Sequence, residues 1–146
     1  MGLKVKFLKK QEHLFKRGVI FCDPCYLKFP SDSEDSWDDF CTVYFKNGQG
    51  LYEINGAKLL VMNTANGDGC YDVETSLRIT GGSTCGVDAG MLCVFSLKDL
   101  SKISTLKEQA FTDQDCLGQI VKDFSGKVKI NENDFIGDHE LRLITS

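Results

Sequence analysis

The residues best suited to chemistry sit in the stretch FCDPCYLKF, residues 21–29, where Cys22 and Cys25 flank Asp23 and Pro24. A Cys-x-x-Cys pair can be a redox dithiol, half of a zinc site, or a turn that contains two thiols. Redox pairs usually open a helix, whose N-terminus lowers the thiol pKa. Here the pair leaves an apolar, strand-like run, and the next helical pattern starts about ten residues later. A zinc site needs a second pair, or histidines at ligand spacing. The other cysteines, Cys41, Cys70, Cys85, Cys93 and Cys116, form no second such pair, and His13 and His139 are the only histidines. The expectation is therefore a turn. Asp-Pro initiates it, the Asp side chain accepts backbone N–H groups, and the thiols act as small buried hydrophobes. Neither a metal nor a cofactor is expected. A dyad of Cys25 with His13 or His139 is the remaining nucleophilic arrangement and is not favoured.

Three aspartates stand in unusual settings. Asp23 ends an apolar run, Asp68 lies between Gly67 and Gly69, and Asp88 interrupts CGVDAGMLCV. A carboxylate within a buried run costs several kcal/mol unless it is paired or hydrogen-bonded. Each could cap a turn, and Asp88 could sit beside a bulge at Gly90. Alternatively, Asp23, Asp68 and Asp88 could converge with Tyr71 into a ligand-binding or acid–base site. The structural reading is preferred, above all for Asp23. NGDG is not a phosphate-binding loop, because no Gly-Lys-Ser/Thr follows, and no serine stands in a nucleophile elbow.

The elements that must position these residues read as mostly β. LKVKFL alternates, and GVIFC is a short continuous apolar run suited to a buried strand. Between residues 36 and 45 the period changes. Trp37, Phe40, Cys41, Tyr44 and Phe45 fall on one helical face, Ser36 and Asp39 resemble a capping box, and Asn47-Gly48 ends the pattern. Trp37, Phe40, Cys41 and Tyr44 are expected to face a sheet. The acidic residues Asp32 to Asp39 sit where the helix dipole favours them. Asn55-Gly56 between apolar runs signals a type I′ hairpin. CYDVETSLRI and TCGVDAGMLCVFS read as strands turning at Gly81-Gly82. SLKDLSKI reads as a short helix capped by Ser96. GQIVKDFSGKVKINEN reads as a second hairpin turning at Ser125-Gly126, and HELRLITS as a last strand. The expected fold is mainly β (α+β), a single antiparallel sandwich or partial barrel over residues 1–146 with one amphipathic helix.

Composition narrows the function. The 146 residues carry a net charge of −4, 42% hydrophobic and 26% charged residues, which is ordinary for a globular chain. Nucleic acid is not an expected partner, because phosphate binding needs clustered Lys and Arg. The basic residues of KVKFLKKQEHLFKR alternate with apolar ones and read as a solvated strand face. No apolar run reaches the ~18 residues of a membrane span. Seven cysteines and no signal-peptide pattern at the start point to a reducing cytoplasm.

At GVIFCDPCYL, GDGCY and GVDAG the chain resembles a domain family of unknown function from bacteria and their phages. That family shows a strand followed by Asp-Pro, a downstream Trp, a Thr-x-x-Gly-Asp-Gly-x-Tyr stretch and a Gly-Val-Asp-Ala/Ser-Gly element. The matching positions are Asp23-Pro24, Trp37, Thr64 to Tyr71 and Gly86 to Gly90. The resemblance spans roughly residues 18 to 146 and implies a mostly β domain without implying an activity. The resulting expectation is a small cytoplasmic binding or interaction protein of phage–host or toxin-immunity kind, with a protein or small ligand as partner. The alternative is a small enzyme or ligand-binding protein using Asp23, Asp68, Tyr71 and Asp88.

Overall fold

The computed structural model describes residues 3–31, 35–80, 84–112 and 117–145. Its strands are β1 (Val5–Phe7), β2 (Glu12–Phe15), β3 (Val19–Cys22), β4 (Gly50–Ile54), β5 (Ala57–Asn63), β6 (Gly69–Glu74), β7 (Ile79–Thr80), β8 (Thr84–Val87), β9 (Met91–Ser96), β10 (Gly118–Val121), β11 (Gly126–Asn131), β12 (Asp134–Gly137) and β13 (Arg142–Ile144). The helices are α1 (Ser36–Asn47) and α2 (Leu100–Ile103), with 3-10 turns at Pro24–Tyr26, Leu97–Asp99 and Glu108–Phe111. The strands form a seven-stranded sheet, β1-β4-β5-β9-β3-β10-β7, and a six-stranded sheet, β2-β11-β12-β13-β6-β8. The pairings are antiparallel, so the mainly β, sandwich-like architecture expected from the sequence is the one observed.

The seven-stranded sheet is the middle layer. Its strands send alternate residues to two different cores. Ile20, Cys22, Leu59, Val61, Cys93 and Phe95 face the helices and loops on one side. Val19, Phe21, Leu60, Met62, Leu92 and Val94 face the second sheet on the other. Burial on both faces explains why VIFC and MLCVFS are continuous apolar runs. The six-stranded sheet keeps one face in water, so it alternates. Val128, Phe135 and Leu143 point in, while Lys127, Lys129 and Arg142 are exposed.

The Asn55-Gly56 hairpin joins β4 to β5, with φ of 51° and 83° as a type I′ turn requires. The expected hairpin at Ser125-Gly126 is not one. β10 pairs with β3 and β7 in the middle sheet, whereas β11 pairs with β2 and β12 in the outer sheet. The chain switches layers there, in keeping with the change from a fully buried run, GQIV, to an alternating one, GKVKIN. The true hairpin lies one turn later, at Glu132-Asn133 between β11 and β12. The Gly81-Gly82 turn lies outside the described residues.

Helix α1 covers the middle sheet and ends at Gly48 (φ 78°), whose N–H bonds the Tyr44 carbonyl at 2.6 Å. The capping box is absent. Asp35 holds the cap position without a side-chain capping bond, and Asp39 Oδ2 instead accepts the Leu3 N–H at 3.0 Å. Ser96 likewise precedes its 3-10 turn without a capping bond. Of the five apolar residues expected on one face, Phe40 and Tyr44 are buried, Trp37 and Cys41 are half-buried, and Phe45 is 76% exposed. Phe40 stacks with Trp37 and Tyr44 at centroid distances of 5.6 and 5.8 Å. Phe40→Ala should therefore cost about 3–5 kcal/mol of stability. Trp37→Ala should cost clearly less, because the half-buried ring keeps part of its area in water on folding. Urea unfolding of the two variants checks the order, and an equal or reversed cost would contradict this packing.

Candidate functional site

Asp23 follows β3 and is fully buried. Its carboxylate is saturated by backbone donors from two segments. Oδ1 accepts the Cys25 N–H at 2.9 Å, and Oδ2 accepts the N–H groups of Asp88 and Ala89 at 2.9 and 2.7 Å. Pro24 supplies the first residue of the 3-10 turn, where a missing N–H costs nothing. The Cys-x-x-Cys stretch is thus the turn that its Asp-Pro centre predicts. The corner Asp88–Gly90 is where the chain passes from β8 in the outer sheet to β9 in the middle sheet. Asp23 holds that corner to the end of β3. Gly90 turns it with φ 67°, and its carbonyl accepts the Thr64 N–H at 2.9 Å.

The loop between β5 and β6 completes this end of the molecule. The Gly67 carbonyl accepts both Thr64 Oγ1 (2.6 Å) and the buried Tyr71 hydroxyl (2.7 Å). Gly67 Cα lies 3.9 Å from where a Cβ would stand on Gly90. Thr145 ties the loop to the last strand, since its Oγ1 accepts the Ala65 N–H at 3.0 Å and its carbonyl accepts Asn66 Nδ2 at 2.9 Å. The segments carrying Asp23, Asp68, Tyr71 and Asp88 therefore gather at one end, but their side chains do not converge as one site. Asp23 and Tyr71 are turned inward onto backbone groups, and Asp68 is exposed. Asp88 is exposed and accepts the Tyr26 hydroxyl, a partner that sequence reasoning missed although Tyr26 stands in the quoted DPCY stretch. That bond and the neighbouring carboxylate hold the Tyr26 phenol in its protonated form well above its ordinary range.

The thiols are set against reactivity. Cys22 and Cys93 face each other across β3 and β9 with their sulfurs 3.7 Å apart, and both are free. Burial first, then the contact with Cys93, pushes the Cys22 thiol up. Burial first, then the Asp23 charge, pushes Cys25 up. A nucleophilic thiol needs the opposite. The histidines lie in other settings. His13 packs edge-on against Phe15, and His139 against Phe124. Among the described residues no group of three or more His, Cys, Asp or Glu is placed to hold a metal ion. No described helix is long and apolar enough to cross a membrane. Surface cavities of about 660 and 530 Å³ lie elsewhere, beside β1 and beside Arg142.

A second surface lies on α1. Trp37, Cys41 and Phe45 recur every four residues and form a half-exposed apolar stripe along one flank of α1. Burial, then the charges of Asp38 and Asp23, raises the Cys41 thiol to about 11. The exposure of Phe45 carries no sequence signal, because its spacing matches that of the buried residues. Comparison with protein-family models, curated proteins and solved structures finds no match.

The saturation of Asp23 sets a test. Asp23→Asn places two amide hydrogens among three backbone donors, so it should cost about 2–4 kcal/mol, and Asp23→Ala at least as much. Asp88→Asn should change stability by under about 1 kcal/mol, since that carboxylate is exposed. Denaturant titration of the three variants checks this. A neutral or stabilising Asp23→Asn would mean that the carboxylate is held for function at the expense of the fold.

Proposed function

We propose that the protein is a small binding module of the cytoplasm, belonging with bacterial and phage proteins, whose partner is another protein docked along the Trp37–Cys41–Phe45 flank of α1. The observation that carries this is Phe45, a phenyl ring 76% exposed at the end of a half-buried aromatic stripe. Large aromatic side chains in such positions are the usual anchors of protein interfaces. The exposed carboxylate of Asp38, one turn before Cys41 on α1, favours a partner that presents a basic residue beside an apolar one. The phage–host or toxin-immunity setting fits a compact scaffold that offers a surface and not a chemical centre. Against the reading as an aspartate-lined ligand pocket or enzyme stands the use of both Asp23 oxygens by backbone donors.

Phe45→Ala should leave unfolding free energy within about 0.5 kcal/mol of the parent, as for other surface changes. A photo-crosslinking phenylalanine analogue placed at position 45, in the cell that expresses the protein, should give one discrete adduct. The same analogue at exposed Lys129 on the outer sheet should give none. Asp38→Lys should reduce the adduct at position 45. Equal adducts at both positions, or none at 45, would sink the proposal.

A further inference from the structure

We infer that the free edge of β1 is a docking site for an extended, acidic peptide segment of another protein. This surface is separate from the flank of α1 and does not depend on that reading. β1 ends the seven-stranded sheet and pairs with β4 on one side alone. A cavity of about 660 Å³ lies over the surface where β1 meets β4, bounded by residues 3–6, Glu53 and the Asn55–Gly56 hairpin tip. The strand divides its side chains by parity. Leu3, Val5 and Phe7 pack into the core beneath α1, which fixes the backbone, while Lys4 and Lys6 are exposed. Glu53 stands opposite Lys6 in register, but its carboxylate is bonded to Lys58 Nζ at 2.6 Å. Among the described residues neither Lys4 nor Lys6 forms an ion pair. The edge thus presents two exposed lysines, two residues or roughly 7 Å apart, with Glu53 shared between Lys6 and Lys58 and the Asp39 carboxylate held on the Leu3 N–H, in a chain whose net charge is −4.

Lysines on an edge strand ordinarily keep other edges away. Here they select among them. A second copy pairing through β1 would set lysine against lysine, which is unfavourable. A strand with Asp or Glu at alternate positions places its carboxylates against Lys4 and Lys6 while its main chain extends the ladder of β1. Main-chain bonds then give affinity and the alternate side chains give selectivity.

The test is fluorescence anisotropy of the purified protein with a labelled heptapeptide that alternates Glu and Val. Binding should saturate at low salt and weaken as salt rises. The Lys4→Glu/Lys6→Glu double variant should weaken it at least tenfold with an unchanged circular dichroism spectrum, and the Lys4→Ala/Lys6→Ala variant should weaken it less. N-methylation of one alternate set of peptide nitrogens should also weaken binding at least tenfold, whereas the other set should be tolerated, because only one set faces the strand it joins. Absence of binding to the parent protein would overturn the proposal. So would binding that survives both methylation patterns, which reports charge attraction alone, or binding that ignores the lysine variants, which reports another surface.

Discussion

The buried Asp23 carboxylate is the constraint on which this end of the molecule depends. A lone buried charge would cost far more than a domain can spare. Three backbone N–H groups from two segments make it tolerable, and in return it fixes where those segments meet. One segment is the exit from β3, at the centre of the middle sheet. The other is the corner where the chain changes sheets. Because Gly90 of that corner holds Thr64, and Thr64 helps set Gly67, the constraint passes from Asp23 to the β5–β6 loop and on to Tyr71. Thr145 closes the far side of the same loop. Several loops with little apolar content are thereby ordered by hydrogen bonds, each modest alone and coupled through shared partners.

The middle sheet sets the character of the thiols. With both faces covered, strand positions on β3 and β9 accept only small or apolar groups, and Cys22 and Cys93 are fully buried. Their surroundings disfavour the thiolate, so the Cys-x-x-Cys spacing carries none of the reactivity it has at a helix N-terminus. The same pair of residues can therefore be a redox centre or a turn according to whether Asp-Pro or a helix follows the first cysteine. Here the 3-10 turn is too short, and the neighbouring carboxylate too negative, to stabilise an anion on Cys25.

Much of this was legible in the sequence where a local rule coincided with the tertiary environment. The Asn55-Gly56 hairpin, the Gly48 stop and the Asp-Pro turn each follow from backbone conformations that few residues supply. The buried strands followed from runs without alternation. The mistaken hairpin at Ser125-Gly126 had a turn signal but ignored the change of pattern across it, which is how a switch between layers is written in a sandwich. The capping box at Ser36 failed because Asp39 had a better use, the N–H of Leu3, which is distant in the chain. The gathering of the Asp23, Asp68, Tyr71 and Asp88 segments was anticipated from strand ends. The direction of each carboxylate was not, since that depends on which backbone donors arrive from 65 residues away.

The position of Phe45 follows from geometry that the periodicity alone leaves open. At 100° per residue, Phe40, Tyr44, Trp37, Cys41 and Phe45 cover roughly 140° of the helix circumference. A sheet surface buries a stripe nearer 100° wide. One margin of the apolar arc must then rise out of the core, and either Phe40 or Phe45 could have been the residue given up. The contact between Asp39 and Leu3 holds the opposite flank of α1 down against β1. Aromatic packing of Phe40 with Trp37, Tyr44 and Tyr52 adds to the same rotation. Both push the far margin, with Phe45 at its limit, into solvent. The phenyl ring there keeps only its edge-on contact with Tyr44, at a centroid distance of 6.4 Å, and leaves most of its surface in water.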